Sequence, residues 1–337
     1  MSTIARKRRT IELLLKDHEG ALDKHVDSLR DLAKSTGGLL DDEIRKIVWP
    51  VLARNIMEAV ANEVEEDEEE LSMEEAHTHR EWNQVQLDVH RTLARFPPSI
   101  DDDCRADLQV QLTPLIIRII SARKKYQYYQ GFHDVFLTLL LVVGEEAAED
   151  IGRALVKKGI FHNFLSMSLE DGVCKQLDLI YVILSRVDPS LEQVLREAQL
   201  GPIFALSWPL TWFSHSLHKY EEIVRVFDVF FSSDPLMPIY LAAVCVLYRK
   251  KEVMATEREM PILHHLLGTL PRSLPIDSLL SDALYLAKLI PPHHLQGKYL
   301  LEYNERTPSI PSIRPVMVFV AGAVSAAAGY YLLARTL

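Results

Sequence analysis

Cysteine is scarce in this chain. Cys104, Cys174 and Cys245 lie far apart in 337 residues, and none forms a CxxC pair. That spacing excludes a disulfide framework and fits a reducing compartment. Basic charge is short as well: 37 Lys and Arg stand against 47 Asp and Glu, for a net charge of −10. A general nucleic-acid binder needs a basic surface to displace phosphate counterions, so that class is disfavoured. There is no GxxxxGKS or GxxxxGKT segment, and with it goes the loop by which many nucleotide hydrolases cradle phosphates. The pairs His264–His265 and His293–His294 have no carboxylate or cysteine at ligand spacing, so no metal site is expected. His133 and Asp134 have no partnered serine and read as structural. Alternating strand patterns and repeats of solenoid length are missing too, which leaves an all-α chain.

What is present is ordinary globular composition, with 48% hydrophobic and 25% charged residues. Residues 10–35 read as one helix on the spacing of Leu13, Leu14, Leu22, Val26, Leu29 and Leu32, stopped by Gly37 and Gly38. A second helix opens with the acids Asp41, Asp42 and Glu43, where the helix dipole favours them. Residues 77–95 form a third, ended by Phe96, Pro97 and Pro98. Thr113 and Pro114 look like the start of a helix running over 115–126. Residues 135–143 read as a buried helix, too short to span a membrane. Residues 236–247 are apolar on all sides, either a core helix or a second membrane insertion. From 271 to 315 proline recurs, as expected for short helices followed by a tether.

Three further stretches bear on location and partners. The start, Met1 to Arg9, is basic, and the apolar run after it is too short and too charged for a signal peptide, so the bulk of the chain is expected in the cytosol. The acidic stretch 63–75 is either a solvated face or a docking surface for a basic partner. Residues 316–334 carry no charge and are about long enough to cross a bilayer core as a helix. Gly322 with Ala326, and Ser325 with Gly329, have the small-xxx-small spacing of packed membrane helices. Tyr330 and Tyr331 sit near one end, as interfacial rings do. A tail anchor inserted after translation is the expectation. The segments divide into 1–36 as an N-terminal helical segment, 37–250 as the main domain, 251–315 as an extension and tether, and 316–334 as the anchor.

Two short motifs carry the chemistry. Asp88 and Arg91 lie three residues apart and share a helix face, with Val85 preceding them by one turn. By itself this is also what an ordinary exposed Asp–Arg pair looks like. Tyr128, Gln130 and Gly131 follow the basic residues Arg123, Lys124 and Lys125. Glycine after glutamine frees that side chain to project, although a plain polar turn would read the same. Arginine and glutamine are the side chains that nucleotide hydrolysis by a small GTPase calls for: a guanidinium to neutralise the transferring phosphoryl group and a carboxamide to orient water.

With both motifs in this order, the chain resembles the TBC-domain Rab GTPase-activating proteins. Their IxxDxxR motif appears as Val85, Asp88 and Arg91, and their YxQG motif as Tyr128, Gln130 and Gly131. The pattern that opens their domain appears as Arg45, Val48 and Trp49, and a later one as Ser207, Trp208, Trp212 and Phe213 followed by Arg225, Phe227 and Asp228. The resemblance covers roughly 39–247. It implies a multi-helix TBC fold in which Arg91 and Gln130 are the catalytic fingers, Asp88 orients the arginine helix, and Tyr128 and Gly131 support the glutamine loop. Arg45 and Trp49 would be structural. It also implies a Rab partner that carries the GTP and magnesium, no cofactor of the chain's own, and activation in trans rather than GTPase activity of its own. Val85 replaces isoleucine, and Phe132-His133 replaces the Met-Asn of many members, which points to altered packing or Rab preference. Together with the apolar tail, the resemblance implies a site on the endoplasmic reticulum and a Rab of ER-to-Golgi traffic. The modest apolarity of the tail and Arg335 after it leave the mitochondrial outer membrane as the alternative. A Rab-binding adaptor without catalysis is the other functional reading.

Overall fold

The structure, a computed structural model, describes residues 3–17, 21–56, 71, 73–94, 96–97, 101–157 and 160–307. Among them every regular element is helical. They fall into two compact units. The first draws on Met1–Lys124, Val135–His162 and Lys219–Pro235, the second on Lys125–Asp134, Asn163–His218 and Leu236–Leu337.

In the first unit the N-terminal segment is two helices, Thr3–Asp17 and Val26–Lys34, rather than one. A 3-10 turn over Leu22–His25 separates them; Val26 and Leu29 are buried while Leu13 is exposed, so the apolar spacing did not mark one continuous face. The second of these helices ends as expected at the glycine pair, and its last carbonyls are taken by a distant arginine. Arg225 donates to the carbonyls of Ala33 at 3.0 Å and Ser35 at 3.1 Å. Asp41 then caps Asp42–Arg54 by accepting from the Ile44 N–H at 3.0 Å. The helix expected over 77–95 is broken: His77 belongs to Met73–Thr78, a turn intervenes, and Trp82–Leu93 follows. The next start also differs. Helix Asp102–Ser121 begins at Asp101, whose carboxylate accepts from the Cys104 N–H at 2.7 Å, and it runs through Pro114 instead of beginning there. Leu112, Leu115, Ile116 and Ile119 are buried on both sides of the proline, and this packing holds the helix across the missing N–H.

The second unit centres on helix Met237–Tyr248, packed against Ile276–Leu289 and Leu179–Val187. Its 12 residues, at a rise of ~1.5 Å each, fall well short of a bilayer core of ~30 Å. Met237 through Val246 are all buried, which accounts for the absence of any polar face. The segment is therefore a core helix. Tyr240 satisfies its hydroxyl on the Ile290 carbonyl at 2.5 Å. Among the described residues no helix is long and apolar enough to cross a membrane. The expected anchor at 316–334, and the acidic residues 63–70, lie outside the described residues.

Candidate functional site

The arginine motif stands on helix Trp82–Leu93 of the first unit. Val85, Val89, Thr92 and Leu93 form its inward stripe, and the helix packs along Asp102–Ser121. Asp88 lies on the inward side with its carboxylate only 1% exposed. A buried carboxylate needs donors, and two come from its own helix. The Gln84 amide donates at 3.0 Å from one turn before, and the Arg91 guanidinium at 3.3 Å from three residues after. Arg91 itself remains 60% exposed. The buried acid thus bonds one nitrogen of a guanidinium that is otherwise largely exposed, an arrangement that can meet an anion.

The glutamine motif stands in the second unit, in the loop before helix Phe132–Val143. Tyr128 and Tyr129 are both buried while Gln130 between them and Gly131 is half-buried. Tyr129 is pinned by its hydroxyl, which donates to the Leu210 carbonyl at 2.8 Å, and by an edge contact with Phe164. Gly131 has φ of +103°, and a Cβ there would stand 2.8 Å from the Thr211 methyl. Both facts demand glycine, one by backbone conformation and one by space. Beyond it, the Tyr128 hydroxyl lies 2.7 Å from His133 Nδ1, His133 Nε2 lies 3.4 Å from Asp134 Oδ1, and Asp134 Oδ2 lies 2.9 Å from His215 Nδ1. Leu210, Thr211 and His215 all belong to one stretch, where Trp212 and Phe213 take φ of +48° and +66°. Two bulky residues in succession in the left-handed region are strained, and such strain persists only where the surroundings enforce it.

Arg45 and Trp49 meet a third partner within the first unit. Asp228, fully buried, accepts from Arg45 Nε at 3.0 Å and Nη2 at 3.1 Å, from the Trp49 indole at 2.8 Å and from the Leu39 N–H at 2.9 Å. Burial works against the charge on Arg45, but Asp228 and Asp42 outweigh it and hold its pKa above the usual arginine value. The backbone can approach because residue 38 is glycine: a Cβ there would fall 2.2 Å from the Asp228 carboxylate. Trp49 also stacks on Phe227 at 5.7 Å between ring centroids.

The structure therefore groups Asp88 with Arg91, Tyr128 with the Gln130–Gly131 loop, and Arg45 with Trp49. The first and last of these groups lie in the first unit, and the glutamine loop lies in the second. The sequence marks Asp134 as structural without showing what it holds, and it does not show Thr211 and His215 as loop supports. The run through Trp212 carried a signal, but its contact with a loop some eighty residues earlier did not. Chemistry from sulfur is disfavoured at two of the three free thiols, where burial pushes Cys174 up to about 11 and Cys245 up to about 12. Among the described residues no group of three or more His, Cys, Asp or Glu could hold a metal ion.

Residues 42–254 match the RabGAP-TBC family, described as the Rab-GTPase-TBC domain. TBC1 domain family member 20 of Homo sapiens is 40% identical over 274 residues, 80% of this chain and 65% of that protein. The Mus musculus protein of that name is 38% identical over 295 residues, 86% of this chain and 69% of its own length. GTPase-activating protein gyp10 of Schizosaccharomyces pombe is 29% identical over 293 residues, 85% of this chain and 75% of that protein. The chain thus spans about two thirds of the length of its mammalian relatives. Among solved structures, the Ypt/Rab-GAP domain of Gyp1p matches with a TM-score of 0.57 at 13% identity, covering 86% of this chain and 99% of that one, a likeness of fold. Motifs, helical architecture and relatives agree, and the chain belongs to the Rab-GTPase-TBC domain family.

Proposed function

We propose that the chain activates GTP hydrolysis by a Rab-family GTPase, with Arg91 and Gln130 as the two side chains it lends to the reaction. The observation that carries this reading is the exposed guanidinium of Arg91 held by a buried carboxylate inside a Rab-GTPase-TBC domain. As the γ-phosphoryl group transfers, negative charge spreads over its equatorial oxygens, and Arg91 neutralises it. Gln130 accepts from and donates to the attacking water, the task that a GTPase's own glutamine otherwise performs. Neither step needs a metal or cofactor held by this chain; GTP and magnesium arrive with the Rab. The test is phosphate release from a panel of GTP-loaded Rabs with the full chain added in catalytic amounts. At least one Rab should be accelerated by orders of magnitude; a panel in which none responds contradicts activation and leaves a binding adaptor.

The same reading places the chain at the cytosolic face of the endoplasmic reticulum through residues 316–334, acting on a Rab of ER-to-Golgi traffic. Its support is the uncharged run in the sequence and the tyrosines at its end. Removing residues 316–337 should release the tagged protein from the membrane fraction of a cell lysate. Retention without the tail, or solubility with it, contradicts the anchor, and co-fractionation with mitochondria would move the address there.

A further inference from the structure

The loop that presents Gln130 is fastened far more thoroughly than a surface turn needs. The hydroxyl–imidazole contact of Tyr128 and His133, at 2.7 Å, bridges from two residues before Gln130 to three residues after it. Past that bridge, Asp134 is met on both oxygens by imidazoles, His133 at 3.4 Å and His215 at 2.9 Å. With its hydrogen on Nε2, His133 accepts from the Tyr128 hydroxyl at Nδ1 and turns its N–H edge toward the Asp134 carboxylate, an electrostatic contact at 3.4 Å. His215 must then donate from Nδ1. Tyr128, His133 and Asp134 are buried, and only His215, with its side chain 30% exposed, reaches solvent. The stretch that supplies His215 also takes the Tyr129 hydroxyl at Leu210 and packs Thr211 against Gly131. One short stretch thus grips the loop on both sides of Gln130.

We propose that Tyr128, His133, Asp134 and His215 form a staple that fixes the register of Gln130, and that His215 is a positioning residue for GTP hydrolysis. The second part rests on the role given to Gln130 above. A carboxamide that orients water must be placed to a fraction of an ångström, and an error of about 1 Å costs up to about a hundredfold in rate. Losing the outermost link should therefore lower turnover while leaving the affinity for the Rab unchanged. No bond to substrate is assigned to His215.

The experiment compares the full chain with His215→Ala and His215→Asn. Asparagine places an amide N–H about where Nδ1 stands, so it restores the donor to Asp134 without the imidazole. Steady-state hydrolysis by the responsive Rab should show kcat lower by about tenfold or more for His215→Ala with KM within about twofold, and kcat recovered to within about threefold by His215→Asn. Hydrogen exchange of the peptide covering residues 126–134 should speed up in the alanine variant and return to the wild-type rate in the asparagine variant. Wild-type kcat and exchange in His215→Ala would overturn the staple. A loss without rescue by asparagine, or one confined to KM and thermal stability, would reduce His215 to a structural residue and overturn its positioning role. If the exchange pattern appears but the wild-type chain stimulates no Rab, the staple stands and it is the reading of Gln130 that fails.

Discussion

Replacing Arg91 with alanine should lower the GTP hydrolysis that the chain stimulates in its Rab by about a thousandfold or more, because an arginine supplied in trans is worth roughly 10³ to 10⁵ in rate. At ~1.4 kcal/mol per tenfold this amounts to ~4 to 7 kcal/mol of transition-state stabilisation. The fold should lose little. The guanidinium is 60% exposed, its contact to Asp88 is long at 3.3 Å, and Gln84 still donates to that buried carboxylate at 3.0 Å, so the unfolding midpoint of Arg91→Ala should fall only slightly. Arg91→Lys should rescue poorly, since a single ammonium lacks the planar fork that spans two phosphoryl oxygens. Single-turnover phosphate release at saturating chain concentration separates this loss from weakened binding. A fall only in affinity would give Arg91 a docking role instead.

Asp228→Ala should strongly destabilise the first unit. It deletes the acceptor shared by Arg45, Trp49 and the Leu39 N–H and leaves a nearly buried guanidinium without its main counter-charge. Breaking a buried ion pair from one side costs about 3 to 5 kcal/mol, beyond which the orphaned indole and amide add their own desolvation. Asp228→Asn keeps one acceptor oxygen and should lose less. Urea unfolding of the full chain followed by Trp fluorescence measures both, with the shift in midpoint expected to rank alanine above asparagine. Equal midpoints for wild type and Asp228→Ala would mean that Trp49, Phe227 and Phe231 hold this core without the polar centre.

The sequence shows the helices most clearly where local chemistry and burial agree. Gly37 and Gly38 stop a helix, Asp41 caps the next, and the uniformly apolar run before Arg249 is a core helix. It misleads where tertiary packing wins. Pro114 looks like a start because proline suits a first turn, yet buried leucines and isoleucines on both sides carry the helix through it. Leu13 fits a helical stripe and is nevertheless exposed. At the candidate site Arg91 and Gln130 stand out in the sequence because each sits in a short, local motif. Their supports do not. Asp228 meets Arg45 across 183 residues of chain, and His215 meets Asp134 across 81. No periodicity encodes such a pairing; only the folded backbone brings the two ends together.

The most direct test of catalysis by this chain uses a responsive Rab whose own water-orienting glutamine has been replaced by alanine. If Gln130 performs that task in trans, the wild-type chain should still accelerate GTP hydrolysis by this Rab by orders of magnitude, and Gln130→Ala should lose the acceleration on it. Failure of the wild-type chain to stimulate the glutamine-less Rab, or full stimulation by Gln130→Ala, would contradict it.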